Sequence, residues 1–154
     1  MSIKIIRAKP NPYGKDKFGQ LSPGDQLASE WVDVANTGLT SVSLNNLFLY
    51  HKTYNNFCQE LDLQMVMSFN GVLNSGQVVR VHSGSPILIS RMRYEDISGA
   101  DYHLFTRTNY IWNNNCGDSP RLYNSLIKSW VDITYYDSRP IEGLILRRIG
   151  NKLM

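Results

Sequence analysis

Short runs of alternating apolar and polar residues recur along the chain, separated by Gly, Pro, Asn and Ser. That pattern predicts a succession of β-strands joined by turns, as in a sandwich or small barrel, and no interior window reads as a long amphipathic helix. Ile3, Ile5 and their neighbours make a first strand that ends at Pro10, and Asn11-Pro12-Tyr13-Gly14 opens a loop reaching Pro23-Gly24. Gln26 to Ala35 reads as the second strand. Side chains alternate across a strand, so Glu30, Val32 and Val34 share one face, with Trp31, Asp33 and Ala35 on the other. Asn36-Thr37-Gly38 is a turn, because Asn and Gly tolerate positive φ. Val42, Leu44 and Leu47 to Tyr50 supply a third strand and its continuation. Leu61, Leu63, Met65 and Met67 then alternate with Asp62, Gln64, Val66 and Ser68, the cleanest two-residue period in the chain.

Gln77 to His82 is a further strand, following the turn signals Asn70-Gly71 and Asn74-Ser75-Gly76. Ser83 to Arg107 has no clear period and reads as a long loop with a helical turn near Tyr94-Glu95-Asp96. Tyr110-Ile111-Trp112 leads into the turn-forming run Asn113 to Asp118. Arg121-Leu122-Tyr123 and Trp130 to Tyr135 read as a hairpin across Asn124-Ser125, and Gly143 to Ile149 closes the chain. Val32, Val34, Leu44, Val79, Val81, Leu122 and Val131 are the expected core. The 154 residues carry no repeat or linker and fit one domain, 1–154, large enough to bury a core without staples.

Composition agrees with a folded β-protein: 42% of residues are hydrophobic and 19% charged, with many aromatics beside Val, Ile and Thr. The low charge points to a partly covered face or to self-association. No apolar run is long enough to span a membrane, and Met1 to Pro10 has no apolar stretch of signal-peptide length, so a cytoplasmic setting is expected. On that basis Cys58 and Cys116, the two cysteines, are expected to be free thiols, with a long-range disulfide as the alternative.

Three segments together resemble the lamin tail domains, particularly the prokaryotic ones. Glu30-Trp31-Val32-Asp33-Val34-Ala35-Asn36-Thr37-Gly38 with Val42-Ser43-Leu44 is similar to that family's core strand and turn. Gly76 to Gly84 resembles the strand that follows. Ile111-Trp112-Asn113-Asn114 through Gly117-Asp118, with Arg121-Leu122-Tyr123 and Val131-Asp132-Ile133-Thr134-Tyr135, resembles its ending. The resemblance covers about residues 3–135 and leaves 136–154 as a final strand or extension. It implies an all-β, immunoglobulin-like antiparallel β-sandwich. It also implies structural roles for Asn36, Gly38, Asn114, Gly117, Asp118 and Asp132, and service in assemblies rather than catalysis.

The residues themselves carry no catalytic motif. His51, His82 and His103 lack a second ligand-type residue at metal-binding spacing, and Ser43, Ser68 and Ser90 sit in no nucleophile elbow. The expectation is therefore a module that is not an enzyme, needs no cofactor or metal, and binds a protein partner or a second copy of itself. The segment 83–107 departs from the family's pattern. Arg91, Arg93, Tyr94, Tyr102 and Arg107 within it are the candidate binding residues, because Arg and Tyr join large contact area to directed hydrogen bonds. The alternative is nucleic-acid binding by the basic and aromatic stretch around residues 80–112, where Arg80, Arg91, Arg93 and Arg107 interleave with Tyr94, Tyr102, Phe105 and Tyr110. Glu95, Asp96 and Asp101 in the same stretch weigh against it.

Overall fold

A computed structural model describes residues 2–15 and 23–154. Strand β1 spans Ile3–Lys9, a one-turn helix α1 spans Gly24–Ala28, and β2 spans Trp31–Asn36. Then come β3 (Val42–Ser43), β4 (Leu47–Tyr54), β5 (Glu60–Ser68), β6 (Val72–Leu73) and β7 (Val78–His82). A 3-10 turn at Ile89–Arg91 and helix α2 (Tyr94–Ile97) precede β8 (Tyr102–Phe105). The chain ends with β9 (Arg121–Asn124), β10 (Ser129–Ile133), β11 (Leu146–Ile149) and β12 (Lys152–Leu153).

These strands form an all-β sandwich. One sheet has the order β12-β11-β1-β2-β7-β8, the second β10-β9-β4-β5, and β3 pairs with β6 in a small third sheet. Every pairing is antiparallel except β7 with β8. The core lies between the sheets: Ile3, Ile5, Val32, Val34, Val79 and Val81 from one face meet Leu47, Leu49 and Leu122 from the other. Six of the seven expected core residues are buried there, and Val131 packs against them half-buried. The predicted facing of β2 also holds, since Val32 and Val34 point into the core while Trp31 and Asp33 are buried on the opposite face.

Two local expectations are corrected. The second strand begins at Trp31 rather than Gln26. Pro23 supplies an extended entry, and the Leu27 and Ser29 amides turn back onto Pro23 and Gln26 carbonyls, closing α1. The segment Ser83–Arg107 is not one long loop. It contains the helical turn anticipated near Tyr94, and then β8, which adds a parallel strand to β7 in the register Val79↔Tyr102 to His82↔Phe105. The loop expected between Gly14 and Pro23 lies largely outside the described residues.

A third correction concerns the thiols. Cys58 and Cys116 are joined by a disulfide across 58 positions of sequence. The free-thiol expectation rested on compartment and on a resembled motif that works without cysteine at position 116, and neither reports which segments meet in space. The fold instead sets the tip of the β4–β5 hairpin beside the Asn-rich turn that precedes β9.

Candidate binding surfaces

Burying both faces of β2 requires that its outward polar residues be satisfied, since an unpaired buried charge is costly. Asp33 meets that need through Arg80 and Arg7. Arg80 donates to both carboxylate oxygens (Nε 2.7 Å, Nη2 2.8 Å) and Arg7 Nε donates at 2.8 Å. The Arg80 guanidinium lies 3.7 Å from the Trp31 ring centroid and donates to the Glu95 and Ser98 carbonyls. One turn away, Asp96 accepts from Lys9 Nζ (2.8 Å), Trp31 Nε1 (2.8 Å) and Ser29 Oγ (2.7 Å). The segment 83–107 is thus clamped onto the six-stranded sheet and closes its outer face.

That clamp disperses the sequence candidates. Arg91 and Arg93 come together in a cleft of about 230 Å³ that Lys9, Tyr13, Asp25 and Gln26 also line, with Arg93 stacked 5.0 Å from the Tyr13 ring centroid. Tyr94 projects beside them, 81% exposed. Tyr102 begins β8, whereas Arg107 lies past its far end, its backbone N–H donating to the Gly84 carbonyl. The five residues do not share one site.

Further polar groups are drawn together from distant positions. His82 is fully buried, with Nδ1 2.5 Å from the Ala28 carbonyl and Nε2 2.7 Å from His103 Nδ1. Nδ1 therefore carries the proton, and Nε2 accepts from His103. Burial, helped by the neighbouring His103 and Arg80 charges, lowers the His82 pKa to about 4 against the opposing Ala28 hydrogen bond and Asp96 charge. His51 behaves oppositely. Burial alone would lower its pKa, but the Asp118 hydrogen bond and charge outweigh that and raise it. Its ring bridges Asp118 Oδ2 (2.9 Å) and Gln64 Oε1 (3.0 Å). With Nδ1 on Asp118 and Nε2 on Gln64, the His51 ring braces β5 against the turn before β9. Asp118 also accepts from the Lys52, Asn113 and Ser119 amides, organising the turn before β9.

The other sheet is treated differently. Leu49 pairs with Leu122 in the core, so their successors Tyr50 and Tyr123 face outward, and the register Tyr50↔Met65 and Lys52↔Leu63 carries β5 onto the same face. Tyr50, Tyr123 and Trp130 meet edge-on there, with ring centroids 5.1–6.4 Å apart, and Arg121 lies 5.4 Å from Trp130. Beside them Leu61, Leu63 and Met65 are 60%, 39% and 51% exposed. No described element covers this face. The alternation of β5 is plain in the sequence. That its apolar side turns outward is decided by the pairing of β4.

Set against known protein families and curated proteins, the chain matches no family model and no curated sequence. No helix among the described residues is long and apolar enough to cross a membrane.

Proposed function

We propose that the chain is a non-catalytic protein-interaction or scaffolding module of the lamin-tail type that docks through the outer face of its four-stranded sheet. The observation that carries this reading is the uncovered row Leu61, Leu63 and Met65 beside the Tyr50–Tyr123–Trp130 cluster. Contiguous exposed apolar surface rimmed by polar groups marks partner sites, and aromatic residues with Arg dominate their energetics. The resemblance adds support, because its three segments fall on β2 and its turn, on β7, and on the turn and hairpin around β9. A second copy is the occupant that suits this face: beside the internal Lys52–Glu60 ion pair, Arg121 and Asp62 leave one charge of each sign flanking the apolar row, so a two-fold pairing meets complementary groups. The disulfide suits a non-reducing setting better than the expected cytoplasm.

Sedimentation of the wild type and of Leu63→Glu/Met65→Glu over a concentration series tests the reading. The wild type should self-associate, and the variant should remain monomeric with unchanged melting. A wild type that stays monomeric throughout, or a variant that still associates, overturns it.

A second reading, nucleic-acid contact, is favoured only by the shared cleft of Arg91 and Arg93 beside exposed Tyr94. Oligonucleotide binding that falls with salt and is lost in Arg91→Ala/Arg93→Ala would favour it over the sheet face.

A further inference from the structure

At one end of the sandwich, the tip of the β4–β5 hairpin and the turn before β9 flank an open cleft of about 420 Å³. Its walls include Tyr54, Asn55 and Asn56 on one side and Asn113, Asn114 and Asn115 on the other, with the Cys58–Cys116 disulfide joining the two. The volume falls within the range of small-molecule sites, roughly 300–1,000 Å³. The site is separate from the sheet face and does not depend on it.

The walls are held in place independently of any ligand. Asn55 Oδ1 accepts from the Phe57 and Gln59 amides and so fixes the hairpin tip. Asn113 Nδ2 donates to the Lys52 carbonyl and to Asp118 Oδ2. Gly117, at φ +70°, permits the return of the chain, because a Cβ there would strike the Tyr136 carbonyl. Preorganised walls lower the ordering cost of binding. Against this fixed frame, the amides of Asn56 and Asn115 and the hydroxyl of Tyr54 make no hydrogen bond to any described residue. Asn56 and Asn115 are exposed and Tyr54 half-buried, so these groups face water and can exchange it for a ligand.

Their chemistry narrows the ligand class. Among the described residues no carboxylate side chain lines the cleft, and the cation there, Lys15, is committed to Glu30 at 2.5 Å and to the Trp112 carbonyl. An anion or cation would find no free counter-charge among these described residues. A purely apolar ligand would desolvate the Asn amides without replacing their hydrogen bonds. Each amide both donates and accepts, as does each hydroxyl of a sugar, and a Tyr54 ring wall suits the C–H face of a pyranose. We infer that this disulfide-braced pocket binds a neutral saccharide through Asn56, Asn115 and Tyr54.

The test is titration of the oxidised, full-length protein with neutral oligosaccharides (cello-, manno-, chito- and galacto-oligomers), a sulfated heparin fragment and free nucleosides, followed by NMR shifts and calorimetry. At least one neutral oligomer should bind at millimolar or lower concentration. Asn56→Ala/Asn115→Ala should weaken it about tenfold, as expected for two lost neutral hydrogen bonds. Tyr54→Phe, which keeps the ring, should weaken it by a smaller factor, and both variants should melt with the wild type. The inference is overturned if no neutral oligomer binds, if heparin or nucleosides bind in preference, or if neither substitution changes the affinity. Because Tyr54→Phe removes one oxygen only, it stands as a test even if the double variant fails to fold.

Discussion

Acidification from pH 7 to pH 4 should loosen the capped face of the six-stranded sheet through one buried side chain, His82. In the unfolded chain its imidazole titrates at 6.5, while in the fold it stays neutral down to about 4. Between those values the unfolded state binds the proton and the folded state does not, so stability falls as pH falls. The penalty is about 2 kcal/mol at pH 5 and about 3 kcal/mol at pH 4, from 1.36 kcal/mol per unit of pKa difference. The structural cause is visible: a proton on Nε2 would set a donor against His103 Nδ1 at 2.7 Å and bring positive charge toward Arg80. His103, whose pKa is lowered chiefly by its own burial, adds in the same direction. His51 acts in the opposite sense: its raised pKa gives a contribution fully present below 6.5 and lost as pH rises through the folded value. The assay is urea denaturation at pH 7, 6, 5 and 4 for wild type and His82→Asn, whose amide can still donate to the Ala28 carbonyl without titrating. The stability difference between the two should shift by about 3 kcal/mol across that range in favour of the variant at low pH. A difference that stays flat from pH 7 to pH 4 would refute the reasoning.

Asp33→Ala should destabilise by about 3–5 kcal/mol, because it strands the buried Arg80 guanidinium and leaves Arg7 without its carboxylate; urea midpoints will show this. Gly117→Ala should cost at least about 1 kcal/mol through its left-handed φ, and more through the clash with the Tyr136 carbonyl, read as a drop in melting temperature. Thiol titration of the denatured, unreduced protein should find no free group, and Cys58→Ser/Cys116→Ser should lower stability by about 2–4 kcal/mol; two titratable thiols would contradict the disulfide.

The strands that the sequence identifies unaided are those whose environment repeats every second residue. Val32 and Val34, Val79 and Val81, and the long alternation of β5 announce themselves because the pleat imposes that period locally. The turn at Asn36-Thr37-Gly38 is legible too, though not through the positive φ expected of it, which neither Asn36 nor Gly38 adopts; Asn36 Oδ1 instead receives the Gly38 amide two residues on. Most of what makes the candidate sites was not legible, since it depends on pairings between distant segments. The sequence alone marks Asp96 as part of a helical turn, and only the docking of α2 makes it the partner of Lys9, Trp31 and Ser29. β8 escaped because a parallel neighbour leaves no hairpin signal. Nothing in the side chains from Gln26 onward announces that α1 closes on Pro23 and delays the strand to Trp31. His51 looked isolated, yet it meets Asp118 across 67 positions, and Cys58 meets Cys116 across 58. Alternation in β5 reveals that the strand has an apolar side. Whether that side is buried depends on which way β4 turns its own residues and on what lies above the sheet, and those are properties of the assembled layers alone.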